Sequence, residues 1–396
     1  MTNGSLSRDC YLLLNGNVLS LVGDIFYLIV INIWVSRVCD TPDVLSYIIA
    51  VGSFSLFLFN PLGGYFADRY SKKMLLIYTD LFSFLAVILV YFNYREDVIP
   101  FYILCFTNVI LSICFSIYSP TVRATTPLIV RGNGVVKFNS LLSISNEIMK
   151  TLTPLLAMFL LSSDKIGESY FILINAFSFF VSAIINSMLN FEVSDDDKKK
   201  NEINYIIVWN SIGKYKFSLF PLALSNFFLG GVNVLLPYIG KESGGNSYTH
   251  FILFQAFGAA IGGYIFSKKN KVISHSESLI FLLISSLAMM CMSAHFNKIL
   301  NLLAIFILGA CITIYHINFF SIMQKLTPNE MMGRLASIIY MAIASLAPIG
   351  NLLIPYIDEI TSGFGLFTSG FLMFFIMACS YKKMSNIESL EIIKTS

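Results

Sequence analysis

At 396 residues the chain is 56% hydrophobic and only 12% charged, with a mean hydropathy of +0.74. Soluble domains carry roughly a quarter charged residues, so these proportions exclude a water-soluble globular protein and make the bilayer the expected solvent. The formal net charge of +3 says little until its placement along the chain is known.

Apolar runs of the ~20 residues needed to cross roughly 30 Å of hydrocarbon recur from end to end. Twelve spans are predicted, at 11–36, 43–66, 74–94, 98–122, 139–162, 168–191, 216–240, 248–267, 276–294, 298–324, 332–357 and 363–381. Lipid offers no partner to backbone N–H and C=O groups, so each span is a helix or a closed-barrel strand, and runs of this length select helix. The predicted fold class is therefore all-α integral membrane. The first run is too long for a cleavable signal and carries Asn15, Asn17 and Asp24, so it is expected to be retained as the first span.

The longest polar break, EVSDDDKKKNEINY at 192–205, follows six spans and precedes six more. It divides the chain into an N-terminal six-helix half at 1–191, a cytoplasmic linker at 192–215, and a C-terminal half at 216–396 that ends in a short cytoplasmic tail. The acids followed by Lys198, Lys199 and Lys200 read as a solvated linker whose bases lie near anionic lipid heads. When loops are assigned alternately to two sides, 20 Lys and Arg fall on the side holding ADRYSKK and 5 on the other, with Lys150 inside a span. This asymmetry predicts that both termini and the linker are cytoplasmic.

The halves echo one another. PLGGYFADRYSKK begins at Pro61 and AIGGYIFSKKNKV at Ala260, so that Gly63 and Gly262 are 199 residues apart; Pro127 and Pro328 repeat at an offset of 201. Two matches at nearly one offset indicate duplication, the organisation of transporters built from two six-helix halves.

Charged groups inside a span cost a few kcal/mol on insertion scales and face a cavity or a partner. Asp24 shares a helical face with Asn17, Ser20 and Tyr27; it reads either as a protonatable cavity site or as a carboxyl that packs one helix on another. Glu147 and Lys150, three apart, can pair on one face of the fifth span, as a structural ion pair or as a coupling site in which substrate displaces the lysine. Asp80, two turns into the third span, reads mainly as structural, contacting basic loop residues or a helix end. His316 is a proton-relay candidate or a hydrogen-bonded packing residue. Asn108, Asn146, Asn226, Asn233, Gln255, Tyr315 and Asn318 either line a path or bond helix to helix. Pro154, Pro237, Pro348 and Gly350 either kink helices for alternating access or set static bends. The seven cysteines show no paired metal or redox spacing and read as packing residues.

GGYFADRYSKK, with Gly64, Asp68, Arg69, Lys72 and Lys73, resembles the helix 2–3 loop signature of the major facilitator superfamily, Ser71 standing where the family usually has a glycine. NGNVLSLVGDIFYL, with Ser20, Gly23 and Asp24, resembles the first-helix pattern of the branch holding macrolide-efflux and enterobactin-type siderophore exporters. Asp80 in YTDLFSF, Arg123 with Pro120 and Pro127 in SPTVRATTPLIV, and Gly333 and Arg334 in LTPNEMMGRLAS extend that likeness over the whole chain. The fifth span keeps Pro154 and lacks the glycines common in the superfamily's antiporters, which leaves coupling other than drug–proton antiport open.

The resemblance implies the major facilitator fold, two pseudo-symmetric six-helix bundles working by alternating access. It implies a gate at Asp68, pairing with an arginine and the N-terminal end of the eleventh helix in one transport state only; a topology anchor is the other reading. At the repeat offset the second half has Ser267 for Asp68 and Lys268 for Arg69, so the latch is predicted to be one-sided. The expected function is a proton-coupled exporter, an antiporter of the bacterial inner membrane, for a medium-sized amphiphilic antibiotic, siderophore or peptide antibiotic, conferring antibiotic resistance or producer self-immunity. Uptake of a small nutrient is the alternative. No ATP-binding G-x-x-x-x-G-K-[ST] loop and no catalytic constellation appear, so an enzyme is not expected. The expected partners are a small-molecule or peptide substrate, protons and lipid, with no nucleic acid, metal or cofactor, and the expected state is a monomer.

Overall fold

A computed structural model describes residues 7–94, 99–130, 134–161, 168–190, 216–243, 247–268, 273–292, 297–326 and 329–395. The predicted linker at 192–215 lies outside the described residues. Those described form thirteen helices and no strand: α1 Arg8–Val38, α2 Asp43–Arg69, α3 Lys72–Asn93, α4 Phe101–Ile129, α5 Gly134–Leu161, α6 Glu168–Ser187, α7 Lys216–Glu242, α8 Ser247–Lys268, α9 His275–Met290, α10 Lys298–Leu326, α11 Asn329–Ala344, α12 Ala347–Ile360 and α13 Gly365–Thr395. The twelve predicted spans all appear, and ten segments among the described residues are long and apolar enough to cross a membrane.

α4 runs to Ile129 and α13 to Thr395, past the predicted ends at 122 and 381, and two further spans differ in form. The eleventh is broken at Ser345–Leu346 into α11 and α12, with a proline in the first turn of α12. Pro348 has no N–H to give, and its ring clashes with the carbonyl four residues back, Ala344, where α11 stops. The ninth is only 16 residues long, about 24 Å at the helical rise. Its start is fixed by a capping box, in which Ser274 Oγ accepts from the Glu277 N–H and Glu277 accepts from the Ser274 N–H. Its end at Met290 leaves the apolar Cys291 and Met292 outside the helix.

α3 shows how sequence spacing becomes packing. Leu76, Asp80, Ser83, Val87 and Val90 are buried on one stripe, while Tyr78, Phe82, Leu85, Leu89 and Phe92 are exposed on the other. An exposed stripe this apolar is suited to lipid.

The chain forms two compact units. One comprises 1–32 and 51–202, the other 33–50 and 203–396. In the first, α3 packs against both α4 and α6, and a core of Leu13, Leu76, Tyr118, Phe138 and Leu189 closes one end. Gly16 sits against Asn186, Gly23 against Ser178 and Phe179, and Gly63 against the backbone carbonyl of Ser116. In the second unit α9 packs against α10 and α13, α8 runs along α10, and α7 along α12. Here Gly262 meets Ala310, Gly258 the Phe306 carbonyl and Gly350 the Phe227 carbonyl. Lipid is as apolar as leucine, so close backbone approach at small residues, with its dispersion contacts, supplies much of the helix association.

Candidate functional site

The site begins with the stripe Gly16, Ser20 and Gly23 on α1, spaced four and three residues apart and so on one face. A Cβ at Gly23 would lie 2.6 Å from Ser178 Oγ, and one at Gly16 equally close to Asn186 Oδ1. The missing side chains let α1 settle on α6.

Against that stripe lies Asp80 of α3, 1% exposed. Its Oδ2 accepts from Ser182 Oγ at 2.6 Å and from Asn186 Nδ2 at 2.8 Å. Ser20 of α1 lies beside the same carboxyl. Ser182 Oγ also lies 2.9 Å from the Gly16 carbonyl, and Asn186 Nδ2 lies 3.5 Å from the Tyr118 hydroxyl of α4. Four helices thus converge on one carboxyl whose partners are neutral side chains, chiefly of α6, where the sequence reading expected basic loop residues or a helix end.

Asp24 is half-buried on α1 and within electrostatic reach of Asp80. On a neighbouring face Asn17 Nδ2 donates to Asn146 Oδ1 of α5 at 2.7 Å. Lys150 is exposed on α5; the Glu147 side chain, and with it the predicted Glu147–Lys150 pair, lies outside the described residues. In the second unit His316 is half-buried on α10. Its neighbours Tyr315 and Asn318 bond to backbone, Tyr315 Oη donating to the Ser218 carbonyl at 3.0 Å and Asn318 bracketing Ile273.

At the helix 2–3 turn Gly64 and Lys72 are half-buried. The Arg69 guanidinium lies 4.9 Å over the Tyr65 ring. Lys73 Nζ donates to the Leu189 carbonyl at 2.7 Å, placing a cation at the C-terminal end of α6, where the helix dipole favours it. The repeat-related Lys268 lies 4.7 Å over Tyr264. The Asp68 side chain, Gly333 and the Arg334 side chain lie outside the described side chains, and Arg123 is exposed on α4.

A cavity of about 140 Å³ is lined by Ile33, Ser36, Arg37, Pro237, Lys241, Tyr248 and Thr249, below the ~300 Å³ at which drug-sized sites begin. At its edge Lys241 Nζ pairs with Asp40 Oδ1 at 3.0 Å.

Sequence reading found Asp24 and Asp80 because they interrupt apolar runs. It passed over Ser182, Asn186 and Tyr118. Asn175, Ser178, Ser182 and Asn186 recur on α6 at helical spacing, and that polar stripe was the available signal.

A helical membrane protein with carboxyls buried inside its spans has the construction of a secondary transporter. A sequence profile described as Major Facilitator Superfamily matches residues 13–351, and the chain belongs to that family. It is a transporter, not an enzyme. It is 23% identical over 362 residues to Macrolide efflux protein A of Streptococcus pyogenes, covering 87% of each chain. Among solved structures it is similar to a D-xylose-proton symporter, with a TM-score of 0.74, 12% identity and 94% and 96% of the two chains covered. It is also similar to a bacterial homolog of the human lysosomal transporter Spinster, with a TM-score of 0.71, 13% identity and 97% and 98% covered. At these identities the two structures speak to the fold.

Proposed function

We propose that the chain is a secondary exporter that moves a medium-sized amphiphilic molecule, an antibiotic, siderophore or peptide antibiotic, out of a bacterial cell by alternating access. The observation that carries this reading is the likeness to a macrolide efflux protein over 87% of both chains. The 20 to 5 distribution of Lys and Arg supports a plasma-membrane protein with both termini and the 192–215 linker cytoplasmic, joining functional halves at 1–191 and 216–396. It acts as a monomer.

The proton gradient is the proposed energy source. Asp24, half-buried on the α1 stripe, is the leading coupling carboxyl, with Glu147, Lys150 and His316 as further coupling or substrate groups. Asp68 gates the cytoplasmic side, beside Gly64, Arg69, Lys72 and Lys73. Uptake is the competing reading, since a D-xylose-proton symporter shares the fold.

The test is expression in an efflux-deficient host, measuring survival and cell-associated levels of macrolides, siderophores and peptide antibiotics with and without a protonophore. Protonophore-sensitive depletion of one cargo is expected. Unchanged retention of every cargo would sink the exporter, and accumulation above control would establish uptake instead. Asp24→Asn should abolish gradient-driven transport, and Asp68→Asn should impair it while the protein still inserts.

A further inference from the structure

Ser182 Oγ stands 2.9 Å from the Gly16 carbonyl and 2.6 Å from Asp80 Oδ2. A serine hydroxyl has one hydrogen, and a carbonyl oxygen and a carboxylate are both acceptors only. With Asp80 ionised, the hydroxyl can serve one of them and the other contact is unmade. Both are made at once when Asp80 carries a proton: Oδ2–H donates to Ser182 Oγ, and Ser182 Oγ–H donates to the Gly16 carbonyl.

We propose that Asp80 is a proton-binding switch, read out by the Ser182 hydroxyl, that fastens α1 to α6 when protonated and releases that fastening when ionised. The step makes and breaks one O–H bond: a proton from water adds to the carboxylate, and the same proton later returns to water. On its loss the Ser182 hydroxyl turns from Gly16 to Asp80, so the charge change in α3 is converted into a bond gained or lost between α6 and α1.

The surroundings suit this. Asp80 is 1% exposed, and the groups facing it from each packed element are neutral donors or acids: Ser20 and Asp24 from α1, Cys114 and Tyr118 from α4, Ser182 and Asn186 from α6, and Ser83 on its own helix. No cation among the described residues is hydrogen-bonded or ion-paired to it. The Asn186 amide, which donates to Oδ2, sustains the anionic state, so both states of the switch are furnished. Asn186 Oδ1, buried and without a hydrogen-bond partner, sits against Gly16, beside the Ser182 contact to the Gly16 carbonyl. Gly16 lies eight residues before Asp24 on the same helix, just over two turns away, so the fastening acts on the helix that carries the leading coupling carboxyl. For its use in transport the switch rests on the proton-driven reading above; its existence does not.

The test is infrared spectroscopy of the full chain in lipid nanodiscs, titrated with pH in the absence of cargo and of any gradient. A carboxyl C=O component that appears and disappears with pH is expected in the wild-type minus Asp80→Asn difference spectrum, and it should persist when the same difference is taken in the Asp24→Asn background. The amide introduced by Asp80→Asn can donate to Ser182 as the protonated carboxyl does, so this variant should fold in the fastened form. Ser182→Ala keeps the carboxyl and removes the relay. Its band should remain but move by roughly one pH unit, as expected for the loss of one hydrogen bond to a charged group. A carboxyl titration identical in wild type and Asp80→Asn, or an Asp80 midpoint unmoved in Ser182→Ala, overturns the switch whether or not export is observed in cells. Loss of export with both spectroscopic results intact would instead overturn the exporter reading alone.

Discussion

The interiors of the two units solve the same packing problem with different materials. In the first, four helices meet at Asp80, whose carboxyl draws its donors from α6 and lies close to α1 and α4. In the second, helices meet backbone to backbone at Gly258, Gly262, Gly309 and Gly350, and three buried serines of α9, Ser278, Ser285 and Ser286, return their hydroxyls to their own helix. At the repeat offset of 199, Asp80 corresponds to Leu279, which is 1% exposed. Among the described residues the buried carboxyl is in the first unit, and the repeat-related position of the second holds an apolar side chain. Shape is a property that small residues maintain cheaply, whereas a buried carboxyl persists only with a full set of donors.

The comparison can be broken most forcefully at the glycines. Gly350→Val drives a side chain into the Phe227 carbonyl and is expected to cost about 3 kcal/mol or more, seen as a lowered melting temperature of detergent-purified protein. Gly63→Val, against the Ser116 carbonyl, should behave alike; tolerance at either site would mean that close approach is incidental there. Next in size is an exchange of the unequal pair. Leu279→Asp puts a carboxyl at a fully buried apolar position and should cost about 2–3 kcal/mol, while Asp80→Leu strands the Ser182 and Asn186 donors at about 1–2 kcal/mol. Equal losses would erase the distinction between the units. Asn17→Ala removes the bond to Asn146 and should cost about 0.6 kcal/mol, the typical value for a polar contact between membrane helices. Lys241→Gln breaks the ion pair with Asp40, whose side chain is 96% exposed. Melting there should shift by no more than about 0.5 kcal/mol, and the shift should vanish in high salt.

Most of the fold was legible because hydropathy and length are local properties, and a span needs little else to declare itself. The break at Ser345–Leu346 was legible in part: Pro348 signals a kink, while SIIYMAIASLAPIG carries no charge to mark where the helix stops. Of the site, the acids announced themselves as charge within apolar runs. Their partners did not: Ser182 is 102 residues from Asp80 and 166 from Gly16, and a serine in a membrane helix ordinarily bonds its own backbone, as Ser178 does to Asn175. Only the three-dimensional meeting of α1, α3 and α6 distinguishes the two. The Tyr65–Arg69 and Tyr264–Lys268 contacts were foreshadowed by the repeat, although the sequence comparison aligned the cations without revealing the rings beneath them.

Each of those ring contacts joins residues four apart in a single helix. A contact confined to one turn is indifferent to whatever rigid-body motion its helix takes part in. The cation rides with the helix end like ballast, keeping its depth relative to the aromatic ring while neighbouring elements exchange partners. Such a pair has nothing to transmit. It fixes the depth of one charge at the end of α2 and of another at the end of α8.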